Sequence, residues 1–502
     1  MNNDFSKLGI IVSTATLATV TVAAGLINQP AEKPKPNVIF ILIDDMGYTD
    51  LGCYGSRFYE TPNIDRLAKQ GVRFTDAYAA CPVSSPTRAS ILTGKYPVKT
   101  GITDWIPGRQ ARNSGSPTDR LIAQPFRLFL DPEETTIAEL LRNNGYSTMI
   151  SGKWHLGADP RYWPEHQGFD INKGGHAAGQ PTRNQTANGY FSPYGNPRLE
   201  DGPEGEYLTD RQTDEAIRFI EGSKDKPFFL YLSYYTVHNP LQAKEKHVER
   251  FTLKADSMGL YNKQPFTREK QWIRDYMSNN FKERIFQSNP VYAAMIWSMD
   301  ENIGRLMKSL KELGLDRNTM VIFTSDNGGL STSEGSPTCN SPLRAGKGWL
   351  YEGGIRVPLI IKIPGVKVKN VELSTPVSSI DFFSTIVEYT GCGQVQTDGV
   401  SLLPLIRKGK LRERPLFWHY PHYSNQGVEP GSAVRLGKYK LIDNFQTGKQ
   451  ELYDLEKDIS ETNDISSFNY EKRNELFNLL NEWRKKTDAK MMLPNPEWND
   501  KN

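Results

Sequence analysis

Four clusters of chemically able residues stand out in the 502-residue chain, and each follows a short apolar run. Asp44-Asp45 follows Asn37-Val-Ile-Phe-Ile-Leu-Ile43. Lys153-Trp154-His155 follows Ser147-Thr-Met-Ile-Ser151. His238-Asn239-Pro240 follows Pro227-Phe-Phe-Leu-Tyr-Leu-Ser233, and Asp326-Asn327-Gly328 follows Thr319-Met-Val-Ile-Phe-Thr324. Carboxylates and carboxamides suit hard cations, and histidines move protons near neutral pH. One such cluster is an ordinary strand terminus. Four, drawn from distant parts of the chain, imply one composite site.

The apolar runs read as buried parallel strands. Helices are expected between them. Pro62 to Gln70 starts with a proline in the first turn and stops at Gly71. Thr135 to Asn144 puts Ile137, Leu140 and Leu141 on one face. Val291 to Leu313 repeats apolar residues at steps of three and four, from Ile296 to Leu313. Strands alternating with helices make an α/β sandwich, in which ligands bind beyond the carboxyl ends of the strands. The segments 99–132 and 156–224 read as long irregular loops. After Lys408 the pattern changes to short antiparallel strands and one helix over Tyr470 to Lys485. We therefore expect a main domain over 37–408 and a small α+β subdomain over 409–502.

Composition narrows the function. The 61 basic and 58 acidic side chains leave a net charge of only +3, which argues against a nucleic-acid-coating protein. Four cysteines form neither a disulfide scaffold nor a CxxC metal pair. Leu8 to Ile27 is uncharged, follows Lys7 and contains the small-residue stretch Val22-Ala23-Ala24. It reads as a secretory signal peptide over 1–27, with a Pro-rich spacer over 28–36. No cysteine follows it, so a lipoprotein anchor is not expected. The expectation is a periplasmic or secreted protein without stable membrane association.

The stretch Ser84-Ser-Pro-Thr-Arg88-Ala-Ser-Ile-Leu-Thr93-Gly94 resembles the signature of the formylglycine-dependent sulfatases, with Ser84 in the modified position. Further motifs resemble that family in order and spacing: Asp44-Asp45-Met-Gly, Gly152-Lys153-Trp-His155, His238-Asn-Pro240, Ser325-Asp326-Asn327-Gly328, and Leu343-Arg344-Ala-Gly-Lys347 with Tyr351-Glu-Gly-Gly-Ile-Arg-Val-Pro358. The overall pattern is most similar to the arylsulfatase A and N-acetylgalactosamine-sulfatase branch. The resemblance implies an alkaline-phosphatase-like α/β/α sandwich with a small C-terminal α+β subdomain.

It also implies a chemistry. Ser84 would be oxidised to formylglycine (3-oxoalanine) by a maturation enzyme. The hydrated aldehyde would attack sulfur, and loss of its second proton would eject sulfate. Asp44, Asp45, Asp326 and Asn327, with the modified Ser84, would hold one cation. This all-oxygen set favours Ca²⁺ over Mg²⁺. Arg88 would orient the formylglycine, Lys153 and Lys347 would bind sulfate, His155 would assist the second hydroxyl, and His238 would protonate the leaving alcohol, a task Lys347 could share. As unmodified residues, Ser84-Ser85-Pro86 read as a serine N-cap with proline in the first turn, a helix start that would point its positive end at the anion.

The expected substrate is a sulfated glycan, with a 4- or 6-sulfate on galactose or N-acetylgalactosamine. Trp105, Trp154, Trp163 and Tyr190 are candidates for stacking on sugar. Arg109, Arg112, Arg120 and Arg183 are candidates for a second anionic group, and His176, His419 and His422 for lining the pocket. Two alternatives stay open at this point: a phosphodiesterase or phosphonate hydrolase of the same superfamily, and a non-catalytic homologue that binds sulfated glycans.

Overall fold

In the computed structural model, residues 34–109, 119–267, 282–366 and 370–498 are described. The candidate signal segment and Arg112 lie outside them. The strands of the main sheet are β1 (Asn37–Ile43), β2 (Val72–Phe74), β3 (Ser147–Gly152), β4 (Ile171–Lys173), β5 (Phe228–Ser233), β6 (Thr319–Ser325), β7 (Leu359–Lys362) and β8 (Val371–Leu373). They form an eight-stranded sheet in the order β8-β2-β7-β6-β1-β5-β3-β4. From β6 to β4 every pairing is parallel. Strand β7 runs antiparallel to both neighbours.

Every residue of β1 and β6 is buried, as a strand covered on both faces requires. Successive side chains then enter different cores. Ile39, Ile41 and Ile43 pack with apolar residues of α1 (Pro62–Gln70), α4 (Leu208–Gly222), α5 (Glu245–Ser257) and α6 (Pro290–Glu312). Val38, Phe40 and Leu42 pack on the other side with α2 (Ser84–Thr93), α3 (Ile137–Asn143) and α7 (Asp381–Thr390). The expected helix–sheet–helix sandwich is present.

Several helices were not legible, α4 and α5 among them. Helix α4 lies inside the segment expected to be a loop. Its buried face includes Thr209, Gln212, Thr213 and Glu215 beside Ala216, Phe219 and Ile220. That polar content hides the 3.6-residue apolar period. Helix α5 buries only His247, Phe251 and Ala255, too few to register.

The C-terminal part is an antiparallel sheet of β9 (Leu416–Tyr420), β10 (Gly431–Leu436), β11 (Tyr439–Asn444) and β12 (Gln450–Asp454), paired in that order. Helix α8 (Tyr470–Lys486) covers one face through Leu476 and Leu480. On the other, Trp418, Ala433 and Ile442 pack with Tyr78, Val83 and Trp349. A buried ionic network joins this sheet to the rest. Lys440 lies 2.9 Å from both Glu352 and Glu461, and Arg435 meets Asp76 at 2.6 Å.

Candidate active site

The register places the four clusters side by side. Ile43 pairs with Ser325, Leu42 with Ser233, and Ser233 with Gly152. The chain therefore leaves β1, β6, β5 and β3 at one edge of the sheet, carrying Asp44-Asp45, Asp326-Asn327, His238 and Lys153-His155. Asp45 and His155 adopt φ of 60° and 62°, a left-handed backbone that non-glycine residues seldom hold. Such strain collects where side chains are aimed at a common point.

Helix α2 brings Ser84 to that point. Val83 is extended (φ −137°, ψ 160°) and takes the N-cap place, so Ser84 is the first helical residue and does not cap. This corrects the N-cap expectation. The helix still presents its positive end at Ser84. The Ser84 hydroxyl lies 3.3 Å from Asp44 Oδ1, 3.3 Å from Asn327 Oδ1 and 3.3 Å from Lys153 Nζ.

Three carboxylates and three cations balance around it. Lys153 Nζ donates to both Asp44 oxygens, at 2.9 and 2.7 Å. Arg88 Nε reaches Asp326 Oδ2 at 2.9 Å and its Nη1 reaches Ser233 Oγ at 2.7 Å. Lys347 Nζ reaches Asp45 Oδ2 at 2.8 Å. Asn327 Nδ2 donates to Asp45 Oδ1 at 2.8 Å, so its carbonyl oxygen faces Ser84. Asp44, Asp45, Asp326 and Asn327 are all at most 1% exposed. Burial would raise the Asp45 carboxyl, but Lys347, His238 and Lys153 hold it well below the usual range. Asp326 is likewise held down against burial, chiefly by Arg88 and Lys153. Asp44 is raised, because burial outweighs Lys153. A buried set of three carboxylates and one carboxamide fits a hard divalent cation. Ligand atoms of Asp44, Asp45 and His238 also lie within 4.8 Å of one another.

The two histidines differ in their surroundings. His155 Nε2 lies 2.6 Å from the Ile106 carbonyl, which can only accept, so Nε2 carries the proton. Its Nδ1 is a buried acceptor with no hydrogen-bond partner. Burial, with Lys153 nearby, pushes its pKa far down, so the ring is neutral. Gly179 permits this placement, because a Cβ there would come within 2.5 Å of the ring. His238 Nδ1 lies 3.0 Å from the Asn239 carbonyl, and its Nε2 lies 3.2 Å from Lys347 Nζ.

These groups open into a cavity of about 520 Å³ lined by Ser84, Trp105, Lys153, His155, His238, Lys347 and the loop Ala177–Gln180. Three further lining residues had no motif to announce them: Glu334, Asn425 and Gln426. A larger surface hollow, of about 1060 Å³, lies at α1 and α6 and contains none of the converging residues.

Several substrate-binding expectations need correction. Among the candidate aromatics, Trp105 lines the cavity, but Trp154 and Tyr190 are 1% and 0% exposed and Trp163 is buried. They plug the loops instead of stacking on ligand. His422 is buried against Thr103, Phe126 and Tyr420, and His419 is held by Ser432 and the Lys490 carbonyl. His176 meets Trp163 edge-to-face and lines a separate small void. The Arg109 backbone amide bonds the buried Asp104, Arg120 donates to the Gln446 carbonyl, and Arg183 lies in a local bridge with Asn188. None of these lines the cavity.

The family described as Sulfatase matches residues 36–392, and the one described as N-sulphoglucosamine sulphohydrolase, C-terminal, matches residues 345–488. The chain is 30% identical to a protein named Sulfatase from Formosa agariphila, over 93% of this chain and 91% of the relative. It is 31% identical to N-acetylgalactosamine-6-sulfatase of Mus musculus, over 84% of this chain and 75% of the relative. Among solved structures, that of Ps i-CgsB in complex with k-i-k-neocarrahexaose is similar with a TM-score of 0.71 at 30% identity, covering 92% of this chain and 94% of that one.

Proposed function

This chain belongs to the sulfatase family and is a sulfuric ester hydrolase; from that premise we propose that it removes a 4- or 6-sulfate from galactose or N-acetylgalactosamine in a sulfated glycan. Its fold is the alkaline-phosphatase-like one of the solved sulfatases. One observation carries the mechanistic reading: Ser84 stands at a helix N-terminus within 3.3 Å of Asp44, Asn327 and Lys153. The sugar assignment is supported by the similarity to N-acetylgalactosamine-6-sulfatase and to a structure solved with a neocarrahexaose.

In this reading Asp44, Asp45, Asp326 and Asn327 would hold one Ca²⁺, and a maturation enzyme would convert Ser84 to formylglycine. When bound, the cation would neutralise sulfate charge, and the aldehyde side chain would supply the nucleophile as its hydrate. Lys153 and Lys347 present ammonium groups to the sulfate oxygens. Arg88 holds Asp326 and keeps positive charge behind Ser84. His155 offers its Nδ1 lone pair as a proton acceptor. His238 and Lys347 pass a proton to the departing alcohol oxygen. Residues 37–408 supply this machinery, and residues 409–502 contribute Asn425 and Gln426 to the cavity wall. Export through a cleaved signal peptide would bring the enzyme to polysaccharide substrates. Among the described residues, no helix is long and apolar enough to cross a membrane.

The test is release of free sulfate by matured enzyme from galactose, N-acetylgalactosamine, glucosamine and uronic acids sulfated at single positions. Chelation is expected to abolish this release and lower the melting temperature, and added Ca²⁺ to restore both. A ligand at about 1,000 times its Kd stabilises the fold by about 4 kcal/mol. Full activity and unchanged melting in chelator would refute the cation. Activity confined to glucosamine or uronic-acid sulfates would refute the sugar.

A further inference from the structure

The cavity wall beyond the sulfate-binding groups is built around one acid. Glu334 is the only carboxylate among the described residues lining the cavity; the others are Trp105, the amides Gln180, Asn425 and Gln426, and short apolar or glycine positions, besides the site residues themselves. Its two lining lysines are already committed, Lys153 to Asp44 and Lys347 to Asp45.

Glu334 is held in place by three amides from two other parts of the chain. Asn425 Nδ2 and Gln426 Nε2 donate to its Oε1, at 2.7 and 2.6 Å. Asn239 Nδ2 donates to its backbone carbonyl at 3.1 Å. The residue adopts φ of 53°, a left-handed backbone unusual for glutamate. Strain of this kind persists where the surroundings over-determine the geometry. Gln426 is 2% exposed, and its own Oε1 is a buried acceptor without a hydrogen-bond partner. The wall therefore offers a carboxylate fixed by two amide donors. A carboxylate accepts hydrogen bonds and does not donate. Glu334 also lies close enough to Lys347 to favour its protonated form, together with Asp45.

Such a wall matches the hydroxyl groups of an uncharged sugar. It opposes a second sulfate or a carboxylate on the same ring through like charge. We propose that Glu334, held by Asn425 and Gln426, is the specificity-determining residue for the leaving group, accepting hydrogen bonds from ring hydroxyls and turning away rings with a second anionic group. The inference rests on the sulfatase reading above and adds that the scissile ring carries one sulfate and no other charge.

The experiment compares matured wild type, Glu334→Gln and Glu334→Ala on galactose 6-sulfate, galactose 2,6-disulfate and 4-nitrophenyl sulfate. Glutamine keeps a carbonyl for Asn425 and Gln426 to bond, so it tests charge with little disturbance of the loop. Wild type is expected to favour the monosulfate in kcat/KM. Glu334→Gln should shrink the mono-to-disulfate ratio by about tenfold or more. Glu334→Ala should lose more on galactose 6-sulfate than on 4-nitrophenyl sulfate, which has no ring hydroxyl. A ratio left unchanged in both variants would overturn the inference. Wild type inactive on all three substrates, 4-nitrophenyl sulfate included, would instead bring down the sulfatase reading beneath it.

Discussion

Ser84→Ala is expected to lower sulfate release by about 10⁴-fold or more, the scale on which nucleophile deletions fall. The fold should survive. Ser84 does not cap helix α2, whose N-cap is Val83, and its hydroxyl makes only 3.3 Å contacts with Asp44, Asn327 and Lys153. The methyl group of alanine also suits the first turn of a helix. The check is a paired measurement of kcat/KM and melting temperature on purified, matured protein. A variant that melts like wild type and keeps more than about a tenth of its turnover would remove Ser84 from the mechanism.

The largest stability effect is expected from Lys440→Met. Lys440, Glu352 and Glu461 are all fully buried, and the lysine lies 2.9 Å from each acid. Glu352 has other partners, Tyr78 at 2.7 Å and Arg356 at 3.1 Å. Burial would raise it, yet Lys440, Arg356 and Arg435 hold it down to about 2. Glu461 has less support, and burial pushes it up to about 7 even with Lys440 present. Removing one partner of a buried ion pair typically costs about 3–5 kcal/mol. The sign with pH follows from linkage. A raised carboxyl means the folded chain keeps a proton that the unfolded chain has lost, so Glu461's own contribution favours folding below the usual carboxylate range and fades as pH rises to about 7. The penalty in Lys440→Met should therefore shrink as pH falls through that range. Equal denaturation midpoints for variant and wild type at neutral pH would show that the network is not needed for the C-terminal sheet to dock.

What the sequence made legible, and what it hid, has physical causes. Strands β1 and β6 are buried on both faces, so they are continuous apolar runs, and the residues after them must turn at the sheet edge. That is why Asp44, Asp45, Asp326 and Asn327 could be placed together before any contact was known. Helix α6 is amphipathic enough to read directly, whereas α4 buries Thr209, Gln212, Thr213 and Glu215 and does not. Aromatic loop residues were misleading for a related reason. A large ring in a long loop more often anchors that loop, as Trp154 does by donating to the Tyr162 carbonyl at 2.9 Å. Glu334, Asn425 and Gln426 carry no motif, and only the docking of the C-terminal segment on the sheet edge brings them together. The glycine after Glu334 and the serine beyond it, both at positive φ, marked a tight turn but not what the turn presents.

The most direct test of the central claim is mass spectrometry of the peptide spanning Ser84, taken from active protein purified from its native host. The account predicts loss of a pair of hydrogen atoms at Ser84, the mark of oxidation to formylglycine. An active preparation whose Ser84 peptide is entirely unmodified would contradict it.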